Sequence, residues 1–136
     1  MGDVHLKFRT KLAAGAVGVA VLVATPVAAY AAAYYVSGSV SSTNALYQYG
    51  KYRQHDGSRV VSMNLTTHDK HCGGYFRMGL RNEKNVQVTP TVEWGAGSYG
   101  YRYFGAVSTQ KLAINARGLG AGCNYPYIHW GGTLNL

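Results

Sequence analysis

The chain predicts an all-β fold, a small antiparallel β-sandwich or open barrel of about seven to eight strands held by one disulfide, and three observations carry that expectation. Apolar residues recur at every second position in several stretches where a helical repeat is absent. Glycine punctuates the joins, at Gly95, Gly97, Gly100, Gly118, Gly120 and Gly122, as tight corners between short strands require. Turn-forming residues recur about every 8 to 12 positions, the spacing of a sandwich or barrel.

The elements follow in chain order. Residues 1–31 read as a secretory signal peptide: Lys7, Arg9 and Lys11 form a basic start, residues 12–24 an uncharged Ala/Val/Gly/Leu run, and small residues follow Pro26. The run spans 13 residues, whereas a bilayer-spanning helix needs about 20. Cleavage is expected between positions 29 and 33, which leaves an exported chain with no transmembrane segment. Residues 34–40 read as a first strand rich in Tyr, Val and Ser. With the Ser/Thr-rich piece after it, the segment 32–45 is a candidate partner-binding element, and residues 46–136 form the sandwich body.

Within the body, residues 45–53 are expected to pair with the strand marked by Val61, Met63 and Leu65, across a turn at Asp56-Gly57. Phe76, Met78 and Leu80 alternate with Tyr75, Arg77 and Arg81, giving one apolar and one basic face. Residues 82–85 form a polar turn into a second alternating run, Val86, Val88, Pro90 and Val92, that ends at Trp94, so a hairpin is predicted. Residues 101–107, 112–116 and 128–134 supply three more strands.

Export fits the cysteines. Cys72 and Cys123 are the two in the chain, and outside the cell such a pair is most simply a disulfide. It would close a loop of about 52 residues, for which the chain-entropy model gives about 4 kcal/mol. The bond is expected to tie the central hairpin to the loop before the last strand.

Charge and chemistry narrow the function. The net charge of +8 falls to +6 once Lys7, Arg9, Lys11 and Asp3 leave with the signal, which gives affinity for anionic surfaces or for the acidic face of another protein. The cluster His68, Asp69, Lys70, His71 and Cys72, with His55-Asp56 nearby, resembles a metal-ligand set. Lys70 inside it and an oxidised Cys72 argue for a solvated polar turn instead, so no metal and no cofactor are expected. Asp56, Asp69, Glu83 and Glu93 are the four carboxylates beyond the signal, none at the spacing of a glycosidase pair. Ser62, His68 and Asp69 lack the strand-turn-helix context of a hydrolase nucleophile. No catalytic residue is predicted, and the chain is read as a non-enzyme. Asn64-Leu65-Thr66 matches the glycosylation pattern, but it lies on a strand of a chain whose signal has a bacterial look.

Tyrosine is the surplus residue, with 12 copies. Tyr47, Tyr49 and Tyr52 are interleaved with Lys51 and Arg53, and Tyr101 and Tyr103 flank Arg102. At alternate spacing such residues share one face of a strand, and they serve either as core or as a contact surface gained at small entropic cost. The candidate partner-binding set is therefore Tyr34, Tyr35, Val36, Val40, Tyr47, Tyr49, Tyr52, Tyr101, Arg102 and Tyr103. Basic plus aromatic also describes single-strand nucleic-acid binders, but no RNA-binding motif is present and export argues against a nucleic-acid partner.

The Ala-rich signal, the Tyr34-Tyr35-Val36-Ser37 start, the single Cys72/Cys123 pair and the Trp130-Gly131-Gly132-Thr133-Leu134 finish resemble small secreted proteins of filamentous actinobacteria. Among those the chain is similar in size and plan to the adaptor subunit of umbrella toxin particles. The resemblance implies a non-catalytic β-rich protein that joins a large toxin subunit to a lectin-bearing subunit, partly through an extended N-terminal segment. No family residue carries over to a numbered position. The expected function is a secreted adaptor binding other proteins of an extracellular complex. The competing reading is a stand-alone effector or ligand-binding module: a bacteriocin-like toxin, a wall- or carbohydrate-binding lectin, or a protease inhibitor.

Overall fold

A computed structural model describes residues 32–69, 73–121 and 125–136. The signal segment 1–31 and both cysteines therefore lie outside the described residues, and so does the predicted disulfide. Nine strands run in order: β1 (Ala33–Ser41), β2 (Tyr47–Gln48), β3 (Arg53–His55), β4 (Val60–His68), β5 (Gly73–Arg81), β6 (Val92–Gly95), β7 (Gly100–Ala106), β8 (Gln110–Ala121) and β9 (Tyr127–Asn135). No helix occurs among the described residues, and none there is long and apolar enough to cross a membrane.

The strands form two antiparallel sheets. One has the order β1-β9-β4-β7, and the other has the order β2-β8-β5-β6, with β3 also paired to β8. Alternation sends every second side chain inward. Val36 and Val40 from β1, Val61, Met63 and Leu65 from β4, and Ile128, Trp130 and Leu134 from β9 meet Phe76, Met78, Leu80, Trp94, Leu112 and Ile114 of the second sheet. Phe76 is the hinge of the aromatic packing, with ring centroids 5.8 Å from Trp94 and 5.3 Å from Trp130. Where β9 pairs with β4, position 132 has to be glycine, because a Cβ there would run into the Asn64 carbonyl and the Met63 side chain.

The alternation of residues 73–81 holds in part: Phe76, Met78 and Leu80 are buried and Tyr75 and Arg77 are half-exposed on the other face, but Arg81, expected on that basic face, is buried under the edge ribbon, where it bonds the Tyr49 carbonyl. Three further expectations need correction. Among the described residues the strand count is nine, because residues 45–53 do not form one strand: Tyr47↔Ala116 and Arg53↔Leu112 are in different registers on β8, and the chain between them, with Gly50 and Lys51, steps out of the ladder. That ribbon pairs with β8 and not with the Val61 strand, whose neighbours are β7 and β9. The chain reaches β8 because it changes sheet at the end of β1: Ser42 donates its amide to Pro126 of the first sheet and accepts from Gly120 of the second.

The third correction concerns the run from Val86 to Val92. The hairpin forms, but its second strand begins only at Val92. Gln87 makes an isolated bridge to Arg81, and Val88 donates its amide to Leu80. Pro90 has no amide to continue the ladder, and the Thr89 hydroxyl accepts from the Leu80 amide in its place. The pairing resumes two residues out of step, at Met78↔Val92.

Candidate functional site

The first sheet presents its outer face to solvent, and register decides what lies there. Tyr35 is opposite Thr133, Thr133 opposite Asn64, and Asn64 opposite Tyr101, so one row crosses all four strands. The next row runs through Asn135, Ser62 and Tyr103, tied together by the Asn135 amide donating to the Ser62 hydroxyl at 3.2 Å. Ser37, Ser39 and His129 continue the face along β1 and β9. Tyr35, Tyr101 and Tyr103 are 72%, 53% and 67% exposed, and the last two rings lie parallel, 6.3 Å apart at 16°. Within β1, β9, β4 and β7 no Asp, Glu, Lys or Arg stands on this face; the carboxylate of Asp69, just past the end of β4 and bonded to the His129 amide, borders it at one end.

The second sheet is the opposite case. Glu93, Arg77 and Arg117 form one cross-strand row. Arg77 Nε donates to Glu93 Oε2 at 2.6 Å, and its guanidinium lies 3.9 Å over the Tyr75 ring. That contact with Glu93 holds the arginine above its ordinary pKa. Lys111 reaches Glu83 at 3.2 Å. Arginine is kept off the first sheet's outer face, because alternation on β7 sends Arg102, opposite the core residue Met63, to the side away from Tyr101 and Tyr103. There Arg102 is structural: it donates to the carbonyls of Glu93 and Tyr101 and lies 5.8 Å over Trp94.

The remaining candidates divide by burial. Val36 and Val40 are core residues. Tyr34 is half-buried beneath Arg53, whose guanidinium sits 5.3 Å from its ring, and Tyr52 lies 5.2 Å under Arg81. Tyr47 is 52% exposed and leans on Tyr49 at 4.7 Å. Tyr49 closes one side of the sandwich. Its hydroxyl donates to the Ser39 carbonyl and accepts from the Trp130 indole N–H, both at 2.9 Å. The ring passes over Gly38, where a Cβ would lie 2.5 Å from it.

Burial pushes the Tyr49 phenol up to about 12, against the opposing pull of the Trp130 donor, and Tyr47 beside it adds to the rise. The protonated phenol is thus favoured by folding, so stability held below pH 10.0 is lost as pH climbs through about 12. In an alkaline titration followed by tyrosinate absorbance, Tyr49→Phe is expected to delete the latest-ionising tyrosine and to flatten the loss of stability over that window.

The polar cluster near His68 does not converge. Among the described residues no three His, Cys, Asp or Glu side chains lie together as a metal site, and Lys70, His71 and Cys72 lie outside them. His68 Nε2 donates to the Gly95 carbonyl at 3.2 Å, whereas Asp69 accepts from the His129 amide at 2.8 Å. His55 Nε2 donates to Val107 at 2.9 Å. Asp56 caps the amide and hydroxyl of Ser58, which hold its carboxyl below the usual range.

No protein-family model, curated protein or solved structure matches this chain. Its chemistry therefore has to be read from the two faces. The alternation could have revealed Asn64, Ser62, Thr133 and Asn135 as companions of the exposed tyrosines, since each is out of phase with a core residue. What single strands did not show is that the four outward sets fall side by side.

Proposed function

We propose that this chain is a secreted, non-enzymatic binding protein that acts as an adaptor among other subunits of an extracellular complex, with the outer face of β1-β9-β4-β7 as its principal contact surface. The observation that carries this reading is the Tyr/Asn/Ser/Thr face whose centre, the rows through Tyr35, Asn64, Tyr101 and Tyr103, holds no charged side chain. Exposed tyrosines give rigid, amphipathic contact area, while small hydroxyl and amide side chains supply adaptable hydrogen bonds. Removal of charge from the centre of a patch is the compositional mark of an interface, because every charge there would have to be desolvated. The basic face of the second sheet adds affinity for acidic partners or anionic surfaces, and two chemically distinct faces on opposite sides suit a protein that joins two others.

The Cys72–Cys123 disulfide belongs to the same extracellular reading. A neutral glycan is the second ligand class that an uncharged tyrosine face favours, and it corresponds to the stand-alone lectin reading.

The test uses tagged protein recovered from culture supernatant. Stoichiometric secreted proteins are expected to co-purify with the unaltered chain, and Tyr101→Ser/Tyr103→Ser is expected to weaken the complex at least tenfold, since two anchor tyrosines together contribute about 2 kcal/mol or more. Recovery as a monomer that binds a glycan array through the same tyrosines would replace the adaptor with a lectin. A double variant that binds unchanged would remove the face from the function.

A further inference from the structure

The first sheet ends at β1, and the hydrogen-bond parity of that edge is fixed. Ala32 and Leu136 exchange both amide-carbonyl bonds, and Ser42 donates to Pro126, so the even-numbered residues of β1 are those bonded to β9. The amides and carbonyls of Ala33, Tyr35, Ser37 and Ser39 therefore point away from the sheet. The Ser39 carbonyl is taken by the Tyr49 hydroxyl, which confirms the parity. Among the described residues no strand lies beside the edge groups of Ala33, Tyr35 and Ser37.

Instead of a strand they have a groove. Tyr35, Val36 and Ser37 form one wall, Tyr49, Lys51 and Arg53 the other, with Ile114 and Trp130 also lining it. Two cations face this cleft and no carboxylate lines it. Arg53 gives one N–H to the Lys51 carbonyl at 3.3 Å, while its buried Nε has no partner. With no carboxylate in the lining, the charge of Arg53 and Lys51 is available to an incoming carboxylate.

We propose that this cleft receives an extended acidic segment of a partner protein, which adds as a strand to the edge of β1 and places a carboxylate against Arg53 and Lys51. Main-chain bonds to Ala33, Tyr35 and Ser37 supply affinity, and the cations and aromatic walls supply selection. The site goes beyond the outer-face reading: it is a second interface, at the side of the sandwich, for a different part of a partner.

The probe is a displayed library of extended heptapeptides, alternating β-branched with randomised residues, selected on the secreted protein. Asp or Glu is expected to dominate one randomised position. Lys51→Gln/Arg53→Gln is expected to weaken the selected peptide at least tenfold. Ser37→Pro removes an outward amide that β9 does not use and is compatible with an edge strand; it is expected to weaken the peptide at least tenfold, while Ser37→Thr is neutral. If the proline variant fails to fold, the same peptide N-methylated at alternate amides must lose binding to the unaltered protein. Tyr101→Ser/Tyr103→Ser must leave peptide binding intact, which separates this site from the outer face. A library that yields no binder, enrichment without acidic residues, or full binding despite the blocked amides overturns the proposal.

Discussion

Truncation of Trp130 to alanine will lower the free energy of unfolding by about 4 kcal/mol, within the range for deleting a buried indole. The residue is 3% exposed and sits in β9 between Gly38 of β1 and His68 of β4, so its loss opens the middle of the first sheet's inner face. Phe76 loses a ring partner at 5.3 Å, and Tyr49 loses both an edge-on ring at 5.4 Å and the donor to its hydroxyl. Trp130→Phe keeps a ring in the core and gives up the indole N–H, and about 1.5 kcal/mol is expected for it. Urea unfolding followed by circular dichroism measures both, and equal losses for the two variants would refute the hydrogen-bond part of the argument.

The sequence made some elements legible and hid others, and the difference is physical. Phe76, Met78 and Leu80 lie on a central strand flanked by partners on both sides, so their alternation reports burial without ambiguity. Ile128, Trp130 and Leu134 on the flanked strand β9 behave in the same way, whereas Val36 and Val40 of the edge strand β1, expected as contact residues, are buried because β1 keeps one register with β9 along its whole length. Residues 45–53 mislead because they form a sheet edge: only one flank is paired, so the chain can step out at Gly50 and Lys51 and re-enter in another register. The run from Val86 to Val92 has a strand's pattern, but Pro90 withholds an amide and the Thr89 side chain replaces a backbone acceptor.

The site was legible only in part. Tyr35, Tyr101 and Tyr103 are exposed at the positions alternation assigns them, but Tyr34, Tyr49 and Tyr52 are engaged by Arg53, Trp130 and Arg81, which are distant in sequence. Spacing along one strand cannot disclose a partner supplied by another sheet. Nor can it disclose that β1, β9, β4 and β7 align their polar sides into one surface whose centre carries no charge. That property exists only after register is set, since a slip of one residue would turn Tyr35 and its companions into the core.

Arg81 carries the other large expected effect. The residue is 4% exposed, and among the described residues no carboxylate is bonded to its guanidinium. Its donors serve uncharged oxygens: Nη2 to the Tyr49 carbonyl at 2.8 Å, Nη1 to Ile114 at 3.3 Å and to Asn115 Oδ1 at 3.4 Å, and Nε to Asn85 Oδ1 at 3.1 Å. These contacts join β5 across β8 to the stepped-out part of the edge ribbon, whose own ladder is interrupted there. Asn85, held at φ 59° in the turn after β5, is fixed by the same group. Arg81→Ala leaves main-chain oxygens without a donor, and about 3 kcal/mol of stability is expected to go, since each unsatisfied buried group costs about 1 to 3 kcal/mol. Arg81→Lys keeps the charge but has no fork to reach the Tyr49 and Ile114 carbonyls together, so about 2 kcal/mol should still be lost. Amide exchange at residues 47–53 would quicken in both variants before the rest of the second sheet does. A lysine variant as stable as the parent would mean that charge, and not the planar fork, holds the ribbon.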